Sequence, residues 1–245
     1  MAQQEISVLG IKVRDITVTE TAELIEKFVS ERNKSHLIVT LGTEMVMASQ
    51  KDSSLKELIN NASLVCADGA GVVWGAKKAG LKIREKAAGV EILEEVVKRS
   101  SESKLKIFLL GAKPGTAEKA KENLKNKYPN CNIVGTFHGY FKEDLEPIKI
   151  IKKAKPDVIF TALGFPKQEK WYLSHAQELD IPVGMGVGGS FDVLSGNIAR
   201  APMWMRKLSL EWLYRLIKEP SRLGRMMSIP KFIFAVLFSK HDKKK

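Results

Sequence analysis

Hydrophobic positions along this chain alternate between two patterns. Thr19–Ser30 places apolar side chains at 22, 24, 25, 28 and 29, the stripe of an amphipathic helix. Between helical stretches lie short runs rich in β-formers: His36–Thr40, Ser63–Cys66, Lys106–Leu110, Asn132–Phe137 and Asp157–Leu163. Runs of that length and composition predict buried strands. Helices are predicted over Gly42–Asn60 with a break near Asp52–Ser53, from the Asp68 turn through Ala79, and over Gly89–Ser100, Thr116–Lys127 and Asp144–Lys155. Glu5–Arg14 predicts a hairpin or two small strands around Gly10. Residues 81–88 and His138-Gly139-Tyr140 predict loops. Strands that alternate with helices of this length imply an α/β fold: a Rossmann-like, mostly parallel sheet sandwiched by helices.

Two strand-then-glycine units stand back to back in Pro156–Pro202. The first ends at Gly164, and Pro166 suits the first turn of the helix that follows. Lys167, Gln168 and Glu169 then occupy a helix N-terminus, where unpaired N–H groups favour a phosphate or carboxylate. The second, Val183–Gly189, carries glycines at 184, 186, 188 and 189, with Ser190 and Asp192 beyond them to hydrogen-bond a sugar or base. A third strand ends at Gly111 in Gly111-Ala112-Lys113-Pro114-Gly115. Strand ends of this kind predict the ligand edge of an open α/β sheet. The glycines of 184–189 do not predict a dinucleotide site. No clear helix follows them, and about 20 residues on stands Arg206-Lys207 rather than an acid.

At 245 residues the chain has room for one large or two small domains. The N-terminus lacks the basic and apolar regions of a signal peptide. The longest apolar run, Phe232–Phe238, is far short of the ~20 residues that span a membrane. Two cysteines, Cys66 and Cys131, fit a reduced cytoplasmic protein and packing roles. The net charge of +12 is unevenly placed: residues 200–245 hold 12 Lys and Arg against 3 Asp and Glu, a net +9. The chain therefore divides into a core, 1–201, and a basic appendage, 202–245.

Within the appendage, Met203–Lys218 predicts a helix with apolar residues at 204, 205, 208, 212, 213, 216 and 217, and Pro220 interrupts it. This pattern fits a helical pair docked on the core, and equally an interfacial element on an anionic membrane; one docked element can do both. A nucleic-acid partner fits less well. The cations are interleaved with Trp204, Trp212, Phe232 and Phe234, as on a membrane surface rather than along a phosphate-tracking groove. An apolar tail face also allows a homodimer.

Asp68, between Ala67 and Gly69, sits in a strand-to-helix turn. With the ordinary aspartate pKa of ~3.9 it is ionised at pH 7 and can act as a base. Its other reading, which the residues alone favour slightly, is a cap of the following helix. Gln168 can donate to a substrate hydroxyl or simply be solvated. His175 lies on an amphipathic helix and reads as structural. No D-x-D occurs and the four histidines are scattered, so no metal ligand set is predicted. A bound diphosphate would then be neutralised by helix N-termini and by arginines, which the tail supplies at Arg215, Arg222 and Arg225.

The segments ADGAGVVW, GFPKQEKW, GGSFDVLSGNIARAP and LEWLYRLIKEPSRLGRMMSIPKF, in that order, resemble the WecG/TagA/CpsF glycosyltransferase family, over roughly Ile6 to Phe238. The tail resembles the TagA branch. The resemblance implies an inverting, metal-independent enzyme without cofactor, cytoplasmic and peripheral on the inner face of the cell membrane. It implies transfer of N-acetylmannosamine from its UDP derivative to N-acetylglucosamine on undecaprenyl diphosphate, through a β-1,4 linkage. That is the committed step of the wall teichoic acid linkage unit. Carried over by motif, Asp68 is the general base, and Thr40 and Gln168 line the active site. Asp192, Ser190 and the glycine turns at Gly111, Gly164 and Gly188 hold the UDP. Arg215, Arg222 and Arg225 close over the diphosphate. Lys86 stands where the family usually has Arg, which keeps the charge but loses the bidentate fork. Gly42 stands where it usually has Asn. The same fold transferring another sugar, N-acetylmannosaminuronic acid or glucose, is the nearer alternative, with Lys86 as the cation a uronate wants. A non-enzymatic nucleic-acid-binding protein is the distant one.

Overall fold

The computed structural model describes residues 5–207, 210–218 and 223–239. The chain runs β1 (Glu5–Val8), β2 (Ile11–Arg14), α1 (Val18–Glu31), β3 (His36–Leu41), α2 (Thr43–Ser49), α3 (Ser53–Asn60), β4 (Leu64–Ala67), α4 (Ala70–Lys78) and α5 (Gly89–Ser103). It continues β5 (Ile107–Gly111), α6 (Thr116–Lys127), β6 (Ile133–Phe137), α7 (Leu145–Ala154), β7 (Val158–Ala162), α8 (Lys167–His175), β8 (Val183–Gly186) and α9 (Ser190–Leu194). The tail adds α10 (Met203–Lys207), α11 (Glu211–Lys218), α12 (Leu223–Met226) and α13 (Ser228–Phe238). The predicted break near Asp52 is real: Asp52 caps α3 by accepting from the Ser54 N–H.

Eight strands form one sheet in the order β1-β2-β4-β3-β8-β7-β5-β6. Among the described residues the β1–β2 hairpin alone pairs antiparallel; the other pairs are parallel. Strand β3 stands between β4 and β8, so the chain winds one way through β4 and the other way through β8. A crevice opens at the carboxyl ends where the winding reverses, the usual ligand position in such sheets.

Alternation along the strands fills two cores. Leu37, Val39 and Leu41 enter one, and Ile38 enters the other. Helices α1 and α5 cover the second core with Ile25, Ile92 and Val96. The first core receives Trp171 and Tyr172 of α8, and also Phe232 and Val236 of the tail helix α13. Helix α13 lies on α2 and α4. Gly75 makes that approach possible: a Cβ there would stand 2.6 Å from Phe232 Cζ and 3.4 Å from Val8 Cγ1.

Two expectations change. The stripe predicted as one helix over Met203–Lys218 forms two, α10 and α11, and the Leu210 N–H returns to the Met205 carbonyl between them. A short helix, α9, does follow the second glycine unit. It is nucleated by Ser190, whose N–H and hydroxyl both donate to the Val187 carbonyl, and it is anchored by the buried Phe191. Among the described residues, no helix is long and apolar enough to cross a membrane.

Candidate active site

A cavity of about 720 Å³ opens at the carboxyl ends of β3, β4 and β8. The core lines it with Asp68, Lys86 and Ser190 among others, and the tail contributes Glu211, Trp212, Ile229 and Ile233.

Asp68 is fixed from two sides. Its N–H donates to the Leu41 carbonyl at 3.1 Å, extending the β3–β4 ladder one residue past the strand. Its carboxylate accepts from the Gly89 N–H at 3.3 Å, at the first residue of α5. The cap of the following helix α4 is instead Gly69, which makes no side-chain cap bond. So Asp68 does not cap the helix it precedes. It reaches across to the positive end of another and still faces the cavity. Cys66 lies below; burial, and then the Asp68 charge, push its thiol well above the ordinary range. Burial also raises the Cys131 thiol. Both cysteines are free and buried, as packing roles require.

Thr40 is half-buried just under this contact, and its hydroxyl donates to the Gly186 carbonyl at 3.2 Å. Lys86 donates to Glu211 Oε2 at 3.1 Å, a bond from the core to the first turn of α11. Thr43 and Ser228 join their hydroxyls at 3.1 Å, a second tie between core and tail beside the cavity. Gly42, also on the cavity wall, is the N-cap of α2, and only Glu44 Cγ lies within 4.0 Å of where its Cβ would stand. A Cβ has room there.

Gln168 is buried rather than solvated. Its Oε1 accepts from the Gly164 N–H at 3.2 Å and the Gly188 N–H at 3.3 Å, so one amide clamps the loops after β7 and β8. Its Nε2 donates to Glu169 Oε1 at 2.8 Å. A Cβ on Gly186 would stand 2.2 Å from that nitrogen and would displace the Gln168 amide. Glu169 is 1% exposed, and its Oε2 has no hydrogen-bond partner. Burial raises its carboxyl above the ordinary range. Gly164 and Gly188 both have positive φ, at 81° and 50°.

The structure therefore gathers Asp68, Lys86 and Ser190 on the cavity, with Thr40 directly beneath. Gln168, Gly164 and Gly188 form a separate cluster in the adjoining loops. Gly111 ends β5, paired with Ala162 of β7, and is not on the cavity wall. Asp192 lies half-buried in the first turn of α9, also away from it. Arg222 lies outside the described residues. Arg215 and Arg225 have their backbone on α11 and α12, and their side chains lie outside the described set. His175 packs against Trp171 with the rings tilted by 50°, and lies 3.3 Å from Asp144, a structural position. Among the described residues no group of three or more His, Cys, Asp or Glu could hold a metal ion.

Sequence reasoning missed Trp74, Lys77, Glu211 and Ile233 as cavity residues. The signal was partly there. Val73, Trp74 and Lys77 fall at helical spacing on α4, directly after the Asp68 turn.

A carboxylate at a sheet crevice, beside a helix N-terminus and under a basic tail, suits proton abstraction from a sugar hydroxyl. The chain belongs to the glycosyl transferase WecG/TagA/CpsF family, which it matches over residues 6–245. It is a glycosyltransferase. Among its relatives are two Staphylococcus aureus proteins, from strains MW2 and NCTC 8325 / PS 47, each named N-acetylglucosaminyldiphosphoundecaprenol N-acetyl-beta-D-mannosaminyltransferase. Each is 37% identical over 243 residues, covering 98% of this chain and 95% of the relative.

Proposed function

We propose that this enzyme transfers N-acetylmannosamine from UDP-N-acetylmannosamine to N-acetylglucosamine on undecaprenyl diphosphate, with inversion and without a metal, as in wall teichoic acid linkage-unit synthesis. The observation that carries the proposal is Asp68, held at the cavity by Gly89 in a chain that aligns end to end with relatives of that name. The acceptor hydroxyl attacks the anomeric carbon from the face opposite UDP while Asp68 takes its proton. The bond to the UDP oxygen breaks, and negative charge gathers on the leaving diphosphate. Helix N-termini and the tail arginines Arg215, Arg222 and Arg225 stabilise that charge. Thr40 keeps the strand ends under Asp68 in register. Gln168, Gly164, Gly188, Ser190, Asp192 and Gly111 shape the loops toward the nucleotide.

The pairing of Lys86 with Glu211 favours a neutral sugar over a uronate, since that cation is already matched by a carboxylate. The tail supports work at an anionic membrane surface on the cytoplasmic side: Trp204, Phe234 and Phe238 are exposed beside a net +9 segment. Activity is then coupled to the surface where the acceptor resides.

A donor panel tests the assignment. The full chain, with lipid-linked N-acetylglucosamine in anionic vesicles, is given UDP-N-acetylmannosamine, the uronic acid derivative or UDP-glucose. N-acetylmannosamine transfer is expected at about 10²-fold or more over the others. Preference for either rival sugar would overturn the donor.

A further inference from the structure

The cavity beside Asp68 has two unlike ends. Near the sheet it holds Asp68, Lys86 and Ser190 among Ala88, Val90 and Val187. Away from the sheet it is walled by Val73 and Trp74 of α4 and by Ile229 and Ile233 of α13. Ile229, Ile233 and Leu237 recur every four residues, so they share one side of α13 over about 12 Å of its axis. Ile233 is 36% exposed, and Leu237 is more exposed still. The core takes the adjoining side, through Phe232 and Val236. The apolar face of the helix is thus wider than the core occupies, and its free edge starts at the cavity with Ile229 and Ile233 and runs out to the exposed Leu237. Contact with a flat membrane accounts for Phe234 and Phe238, which are exposed and lie outside the cavity wall. It does not account for isoleucines inside a cavity that ends at a carboxylate. A nucleotide or sugar would call for hydrogen-bonding groups in their place. Lys77, exposed on the same side of α4, stands about one turn beyond Val73 and Trp74 as counted from Asp68.

We propose that the first isoprene units of the polyprenyl diphosphate acceptor lie in the track formed by Val73, Trp74, Ile229, Ile233 and Leu237, with the diphosphate on the Asp68 side of Val73 and Trp74. This rests on the acceptor assignment above and adds to it a place for the lipid within the protein. The carrier chain leaves the bilayer for one short stretch, and the acceptor sugar is thereby carried to Asp68.

Calorimetry on the full chain, without vesicles or detergent, compares farnesyl diphosphate below its micelle concentration with inorganic diphosphate. Farnesyl diphosphate is expected to bind at least about tenfold more tightly, and the double change Ile229→Ser with Ile233→Ser should remove about that factor. Phe234→Ser with Phe238→Ser should leave farnesyl diphosphate binding in place while weakening adsorption to phosphatidylglycerol vesicles. Equal binding of the two ligands by the unaltered protein overturns the track, whatever the variants do. So does an equal loss from the phenylalanine pair, which would mean unspecific adsorption. Transfer assays keep the two assignments apart. Farnesyl diphosphate binding in an enzyme that transfers no N-acetylmannosamine keeps the track and sinks the donor. Transfer with the same KM for soluble acceptors of different prenyl length sinks the track and keeps the donor.

Discussion

Asp68 and Glu169 are two carboxylates with opposite surroundings. Asp68 meets the cavity and the end of a helix; Glu169 is enclosed, with one oxygen serving Gln168 and the other unmatched. An ionised carboxylate is costly in such a place, so Glu169 holds its proton to higher pH in the folded protein than in the unfolded chain. The stability it contributes is full below the ordinary carboxylate pKa and is lost as pH rises through the raised one. Glu169→Gln has no proton to lose. Urea unfolding from about pH 4 to about pH 7 should find the variant gaining on the wild type as pH rises. A wild type that gains instead would mean that Glu169 is ionised and paired. Little of this was legible beforehand. PKQE reads as an exposed first turn because the N–H groups that bury Gln168 come from Gly164 and Gly188, in two different loops.

At the scale of elements, helix α13 differs most from what its sequence suggests. The core strands and helices were readable because each has one buried side, so period 2 or 3.6 marks it. Helix α13 is apolar on more than one side, and periodicity does not say which side the core takes. The complement lay elsewhere, in the Gly71–Gly75 spacing of α4 that admits Phe232. Phe232→Ala should therefore cost about 3 kcal/mol or more, as for other fully buried aromatics. Phe238→Ser, at 80% exposure, should cost under about 0.5 kcal/mol. Equilibrium denaturation measures both, and equal costs would contradict the docked arrangement of α13. The helix stripe over Met203–Lys218 misled in a simpler way: apolar spacing continues across Leu210, but the backbone does not.

For the molecule as a whole, the alternation of strands and helices was enough to read a parallel α/β sheet. It was not enough to read which strand ends meet. The glycine units after β7 and β8 drew attention, whereas the cavity forms where β3 stands between β4 and β8. Pairing across the sheet is long-range, and a single sequence carries no direct trace of it. The tail then closes over that crevice through Lys86–Glu211, Thr43–Ser228 and the seat of Phe232. Core and tail thus build one site, centred on Asp68. The most direct test is transfer from UDP-N-acetylmannosamine to lipid-linked N-acetylglucosamine by wild type and by Asp68→Asn, with EDTA present throughout. Turnover by the wild type, with a fall of about 10²-fold or more in kcat for the variant, is the predicted result. Equal turnover by the two would contradict the account, leaving Asp68 as a brace for α5 and the base elsewhere.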